Sequence, residues 1–116
     1  ACLVGSEMCI RDRVKRAAQM LAEKTAHFAK EMGVTYGRIT IREQKTRWGS
    51  CSSAGNLNYN WKLVLMPEHV MDYVVIHELA HRKEMNHSAR FYAVVAQQMP
   101  DYKVWQSWLK EHGREY

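Results

Sequence analysis

Residues 70–81, VMDYVVIHELAH, decide both the fold and the chemistry of this chain. They end in the pattern H-E-x-x-H. Residues four apart share one face of an α-helix, so His77 and His81 can direct imidazole nitrogens at one zinc ion. Glu78 is rotated by about 100° from His77 on a helix. Its carboxylate is therefore expected beside the metal, where it can take a proton from an attacking water.

The apolar run that precedes this pattern predicts a helix buried on almost all sides. The alternative interpretation is an amphipathic helix whose histidines are solvated. Ionisable residues on a buried helix need partners, and a shared metal ion supplies one. We therefore favour a zinc site. Three other histidines, His27, His69 and His112, are expected to be surface or packing residues.

A catalytic zinc site usually has three protein ligands and an open position for water. Glu84 shares the histidine face, but on a continuous helix it lies about 10 Å along the axis from His77. The helix must therefore end first, and we expect Asn86 to take the left-handed conformation that ends a helix. His87 follows directly, and Ser88 can cap the next helix. We predict His87 as the third ligand and Glu84 as a carboxylate on the surface or beside a ligand.

Hydropathy periodicity and turn residues predict an α+β domain. The expected elements are a helix over 14–32, strands over 38–42, 47–52 and 57–61, a short helical turn over 62–66, a helix starting near Pro67, and helices over 88–99 and 101–112. This order indicates a small three-stranded antiparallel sheet between helices. In the last helix we expect a cap from Asp101 and an inward face formed by Val104, Trp105, Trp108 and Leu109.

Four motifs along the chain resemble the YgjP-like metallopeptidase domain, a family related to the SprT-like zincins. They are residues 47–51 (RWGSC), 58–61 (NYNW), 72–81 and 86–88 (NHS), in that order. The resemblance implies a small zincin fold, with zinc on His77, His81 and His87 and with Glu78 as general base. Family members usually have a further β-rich N-terminal half, so the chain is expected to be the catalytic core of a longer protein.

The first 13 residues, ACLVGSEMCIRDR, lack clear periodicity. They resemble translated sequencing-adapter sequence, and a signal peptide is a poorer interpretation because a sustained apolar core is lacking. We expect residues 1–13 to be a non-native extension and residues 14–116 to be one metallopeptidase domain. About 100 residues suffice for a single core.

Composition sets limits on location and partners. Cys51 is the one cysteine after residue 13, which fits a reducing cytoplasm. No stretch is apolar enough to predict a membrane span. The net charge of +5 allows weak association with nucleic acid, although scattered basic residues serve solubility equally well. We expect a monomer that acts on a protein or peptide substrate.

Several residues near the motif have two interpretations. The strand with Asn58 and Asn60 is either a sheet edge that binds substrate or a strand with a polar face. Arg47 either orients substrate or pairs with a carboxylate. Cys51 is expected to be a buried small residue rather than a nucleophile. Asp72 is either a surface carboxylate or a partner of a ligand histidine. Two tyrosines, Tyr73 and Tyr92, are candidates for stabilising an oxyanion, although packing is their more common role. The function alternative is a zinc-stabilised module that binds peptide or nucleic acid without hydrolysis.

Overall fold

The computed structural model describes residues 8–43 and 47–116, which form an α+β fold as expected. The elements in order are α1 (Met8–Met32), β1 (Ile39–Arg42), β2 (Gly49–Cys51), β3 (Leu57–Asn60), a 3₁₀ helix (Trp61–Leu65), α2 (Glu68–Ala80), α3 (Ala89–Gln98), α4 (Tyr102–His112) and a final 3₁₀ turn (Gly113–Glu115). The short helical turn before Pro67 is therefore confirmed. Pro67 itself occupies the position just before α2, with φ −54°.

The three-stranded sheet has the order β1-β3-β2 and is mixed. β3 pairs antiparallel with β2 but parallel with β1, so the prediction of an antiparallel sheet is wrong. Alternation of apolar residues fixes which face of a strand is buried, but it does not fix strand direction. β3 is also the central strand, so of the two interpretations of the strand with Asn58 and Asn60, the sheet edge is wrong. The edge nearest α2 is β2.

Helix α2 lies at the centre of the molecule, in contact with α1, α3, α4 and β2. Nine of its thirteen residues are buried, and they lie on every side of the helix: Val70, Met71, Tyr73, Val74, Val75, Ile76, Glu78, Leu79 and Ala80. The continuous apolar run in the sequence is explained by this central position, because each side of the helix meets another element.

Helix α1 packs along α2 through an apolar stripe and two ion pairs that Lys24 makes with Glu68 and Asp72. Ala17 and Leu21 are fully buried. Thr25, also buried, donates its hydroxyl to the Leu21 carbonyl at 2.6 Å. Lys24 lies 2.7 Å from an Asp72 carboxylate oxygen. Asp72 is therefore paired with the neighbouring helix.

The start of α1 differs from the expected domain boundary. The helix begins at Met8, six residues before residue 14, and residues 1–7 lie outside the described part of the chain. Asp12 and Arg13 are exposed, whereas Ala17 is fully buried. We therefore still propose that residues 1–13 contribute little to the core.

Deleting residues 1–13 should leave the melting temperature almost unchanged, because the buried face of α1 from Ala17 onward is retained. The measurement is thermal unfolding of the deletion variant beside the full chain. One kcal/mol corresponds to about 4–8 °C in a domain of this size. A fall of that order would show that the segment packs on the domain.

Two helix ends also differ from expectation. α2 ends at Ala80, and none of the described non-glycine residues has a positive φ, so the left-handed conformation expected for Asn86 is wrong. In α4 the Asp101 side chain makes no capping bond to the described backbone and instead accepts from the Trp105 indole at 3.2 Å. Val104 is 56% exposed, so its expected inward orientation is wrong too. Among the described residues, no helix is long and apolar enough to cross a membrane.

Candidate metal centre

Three histidines converge where α2 ends and α3 begins. One ring nitrogen from each of His77, His81 and His87 lies within 4.8 Å of the others, and the group is partly open to solvent. The Nε2 atoms of His77 and His87 are 3.3 Å apart. Zinc–nitrogen bonds of 2.0–2.1 Å in a tetrahedral site separate the two nitrogens by roughly 3.3–3.4 Å. The described residues thus fit a metal ion with three nitrogen ligands.

A tight turn after α2 returns the chain to the site. The amides of Lys83 and Glu84 both donate to the Ala80 carbonyl, at 3.0 Å each. The Arg82 guanidinium holds this turn against neighbouring loops, through the carbonyls of Thr35 at 2.8 Å and Ser53 at 3.2 Å. The turn replaces the left-handed residue that the sequence suggested, and it places His87 beside α2.

Helix α3 provides the apolar floor of the site. Ser88 caps its N-terminus as expected, by accepting from the Phe91 amide at 3.4 Å. Phe91 is fully buried. Its ring centroid lies 4.5 Å from that of His81 and 4.9 Å from those of His77 and His87. All three imidazoles therefore contact the Phe91 ring, which limits the rotation of their side chains.

Burial favours the neutral form of His77 and His81, which is the form that binds a metal. Burial lowers the pKa of His77 to about 4, and the neighbouring His81 and His87 add to this effect. The pKa of His81 is also lowered, by burial first and then by His87. The nearby backbone of Glu84 and Met85 opposes that shift.

Tyr73 lies one helical turn before His77 and contacts the far side of its ring. The Tyr73 hydroxyl is 3.3 Å from His77 Nδ1, while His77 Nε2 faces the other histidines. With Nε2 on a metal, Nδ1–H donates to Tyr73, which fixes the tautomer and the ring orientation. The side chain of Gln106 on α4 also lies close to the Tyr73 hydroxyl. This geometry favours a positioning role for Tyr73 over an oxyanion role.

Glu78 is buried beside the triad rather than within it. It is 6% exposed, and a Cβ added at Gly49 would lie 3.1 Å from Glu78 Cγ, so any larger residue at position 49 would crowd the Glu78 side chain. Burial raises the pKa of Glu78 to about 7, against the opposing positive charge of Arg47. A carboxyl with a pKa near neutrality can both accept and release a proton.

One family model matches almost the whole chain. The model of the YgjP-like metallopeptidase domain matches residues 7–112. This chain belongs to the YgjP-like metallopeptidase family.

Two crystal structures are similar in fold to this YgjP-like domain. One is the metallopeptidase zymogen of Pyrococcus abyssi abylysin, with TM-score 0.71 and 24% identity over 81% of this chain and 96% of that one. The other is the zymogen of Methanocaldococcus jannaschii jannalysin, with TM-score 0.68 and 18% identity over 78% of this chain and 94% of that one. No curated protein matches the chain. Family membership implies a metal ion and a protein or peptide substrate.

The substrate-binding residues expected from the sequence lie at different depths in this YgjP-like domain. Arg47 is exposed and lines both cavities that adjoin Glu78. Asn58 donates to the Ser50 hydroxyl at 3.2 Å, and Asn60 is buried, with its side chain accepting from the Lys62 amide at 3.0 Å. The asparagines thus stabilise the sheet and the 3₁₀ helix, and neither is among the residues lining those cavities.

Cys51 and the histidines outside the triad have other surroundings. Cys51 is half-buried in the cavity of the triad rather than buried in the core, and burial raises the pKa of its thiol, with Glu78 adding to the effect. A raised pKa disfavours the thiolate that a nucleophile needs. His69 stacks on Trp105, and both His27 and His112 lie near carboxylates.

Sequence reasoning missed three features around the site. They are the bond from Tyr73 to His77, the bare backbone at Gly49 and the approach of α4 to Glu78. The first had a signal, since Tyr73 precedes His77 by the four residues that place side chains on one helix face. The other two depend on contacts between elements distant in sequence.

Proposed function

We propose that this domain is a zinc-dependent endopeptidase in which His77, His81 and His87 hold the metal and Glu78 is the general base. The observation that supports this most directly is the pairing of three converging imidazoles with one buried carboxylate at their side. A structural metal site needs ligands but no base. Glu78 has no evident role in packing that an apolar residue would not fill better.

The donor set favours zinc. Neutral imidazole nitrogens suit zinc, whereas magnesium and calcium prefer oxygen ligands. Three ligands leave one tetrahedral position for a water or a substrate oxygen, as in catalytic zinc sites. The cavity of about 430 Å³ that adjoins the triad gives room for both.

Zinc, when bound, acts as a Lewis acid on the attacking water and on the scissile carbonyl. Glu78 accepts the proton of that water and then delivers it to the leaving amine, so the carboxylate is regenerated. Tyr73 holds the ring of His77 in place through Nδ1. Arg47, whose charge opposes the protonation of Glu78, can also orient the substrate backbone.

The proposed path of the substrate follows β2 rather than β3. β2 is an edge strand, and all three of its residues line the cavity of the triad: Gly49, Ser50 and Cys51. An extended peptide can pair with such an edge through main-chain hydrogen bonds. We further propose that the domain acts as a monomer in the cytoplasm and associates at most weakly with nucleic acid, which salt would suppress.

Digestion of a diverse peptide library tests the proposed activity. The zinc-loaded chain should cleave peptides at internal bonds, detected as new termini by mass spectrometry. A chelator should abolish this cleavage and added zinc should restore it, because the histidines supply the metal site. Removal of terminal residues alone would contradict an endopeptidase, and chelator-resistant cleavage would contradict a metal mechanism.

A further inference from the structure

A second cavity adjoins His77 and Glu78 and differs in character from that of the triad. Its volume is about 200 Å³. Besides His77, Glu78 and the exposed Arg47, it is lined by five residues, which we call the α4 pocket: Trp48, Gly49, Tyr73, Val74 and Leu109. The pocket thus opens beside the groups that would perform hydrolysis, where a substrate side chain next to the scissile bond would lie.

The walls of the α4 pocket are apolar. They present an indole, an aromatic ring and two aliphatic side chains, and Gly49 adds bare backbone. A charged side chain that entered would lose its water, and the five residues of the α4 pocket carry no opposite charge to compensate for that loss. An aliphatic or aromatic side chain would gain free energy by leaving water.

The residues of the α4 pocket differ in how far a substitution would disturb the core. Tyr73 and Val74 are 5% and 3% exposed, within the core around α2. Gly49 is confined, since a Cβ there would lie 3.2 Å from Val74 Cγ1 and 3.1 Å from Glu78 Cγ. Leu109 is half-buried on α4, a helix without fully buried residues. Leu109 therefore shapes the pocket with the least consequence for the core.

The end of α4 also fixes the Trp48 wall. A Cβ added at Gly113 would lie 3.2 Å from the Trp48 indole, so the indole packs directly on the backbone there. Helix α4 thus supplies one wall through Leu109, and the 3₁₀ turn that follows it supports a second through Gly113.

We propose that the α4 pocket binds an aliphatic or aromatic substrate side chain flanking the scissile bond, and that Leu109 sets the size it accepts. This rests on the proposed peptidase function. The class of substrate is therefore an extended peptide with an apolar residue on one side of the cleaved bond.

The test compares cleavage sites and kcat/KM for the zinc-loaded chain and two variants of opposite effect. The parent should enrich apolar residues at one position beside the cleaved bond. Leu109→Ala enlarges the pocket and should raise the kcat/KM of a phenylalanine substrate relative to an alanine substrate by about 10-fold or more. Leu109→Phe fills the pocket and should shift the same ratio in the opposite direction. If one variant fails to fold, the other still tests the proposal.

Leu65→Ala is the matched control, because Leu65 is 44% exposed and outside the α4 pocket, so its ratio should equal that of the parent. If the kcat/KM ratio of the phenylalanine and alanine substrates were equal in the parent and both Leu109 variants, the proposed role of the α4 pocket would be wrong. The peptidase function would remain intact. A preference of the parent for charged residues at that position would have the same two consequences. Absence of any chelator-sensitive cleavage would overturn the peptidase function and this inference together.

Discussion

His87→Ala should weaken zinc binding by more than about 100-fold while leaving the metal-free domain folded. Loss of a residue that merely orients a ligand costs 10–100-fold in affinity, so loss of the ligand itself should cost more. His87 is exposed, so its truncation removes little packing. The measurements are zinc affinity by competition with a chelator and unfolding of the metal-free protein, which should change by no more than about 0.5 kcal/mol.

Glu84→Ala is the matched control for this prediction. Glu84 lies in the turn between His81 and His87, and its amide donates to the Ala80 carbonyl, a bond that alanine retains. Its carboxylate lies outside the group of three histidines that could share a metal. Zinc affinity should therefore stay near that of the parent. If Glu84→Ala strips the metal and His87→Ala retains it, the proposed ligand set is wrong.

The helices could be predicted from the sequence to a large extent, because their signals are local. The apolar run over 70–76 predicted the central position of α2, and Ser88 predicted the start of α3. Strand direction could not be predicted, since it depends on pairing between distant segments. β1 and β3 are separated by the residues that contain β2, and β3 pairs with both of the other strands. The interpretation of Asn58 and Asn60 as edge residues failed for this reason.

The same distinction holds at the site. The spacing of His77 and His81 predicts their shared face, because the helix fixes it. For His87 the sequence indicated the residue but the wrong route, because the chain returns through a turn held by Arg82 and not through a left-handed Asn86. The position of Leu109 in the α4 pocket could not be predicted, since it depends on the packing of α4 against α2, a helix distant in sequence.

Glu78→Gln should reduce peptide hydrolysis by at least about 10²-fold, the lower end for a positioned acid–base group. Glutamine keeps the size of the buried side chain, so the fit against Gly49 is preserved. It cannot accept a proton from water, so only the base is lost. Zinc content and thermal stability should match the parent, and the rate constants should be compared with each protein fully loaded with zinc.

Glu111→Gln provides the control, because this side chain is 72% exposed on α4 and the same chemical change there should leave hydrolysis unchanged. A binding module without hydrolysis gives a different pattern: the parent and Glu78→Gln would both be inactive, with nearly equal affinity for a peptide. A Glu78→Gln domain that retains zinc and cleaves as fast as the parent would exclude the general-base role. Loss of cleavage with retained zinc and retained peptide affinity would assign that role to Glu78, since only proton transfer then distinguishes the two proteins.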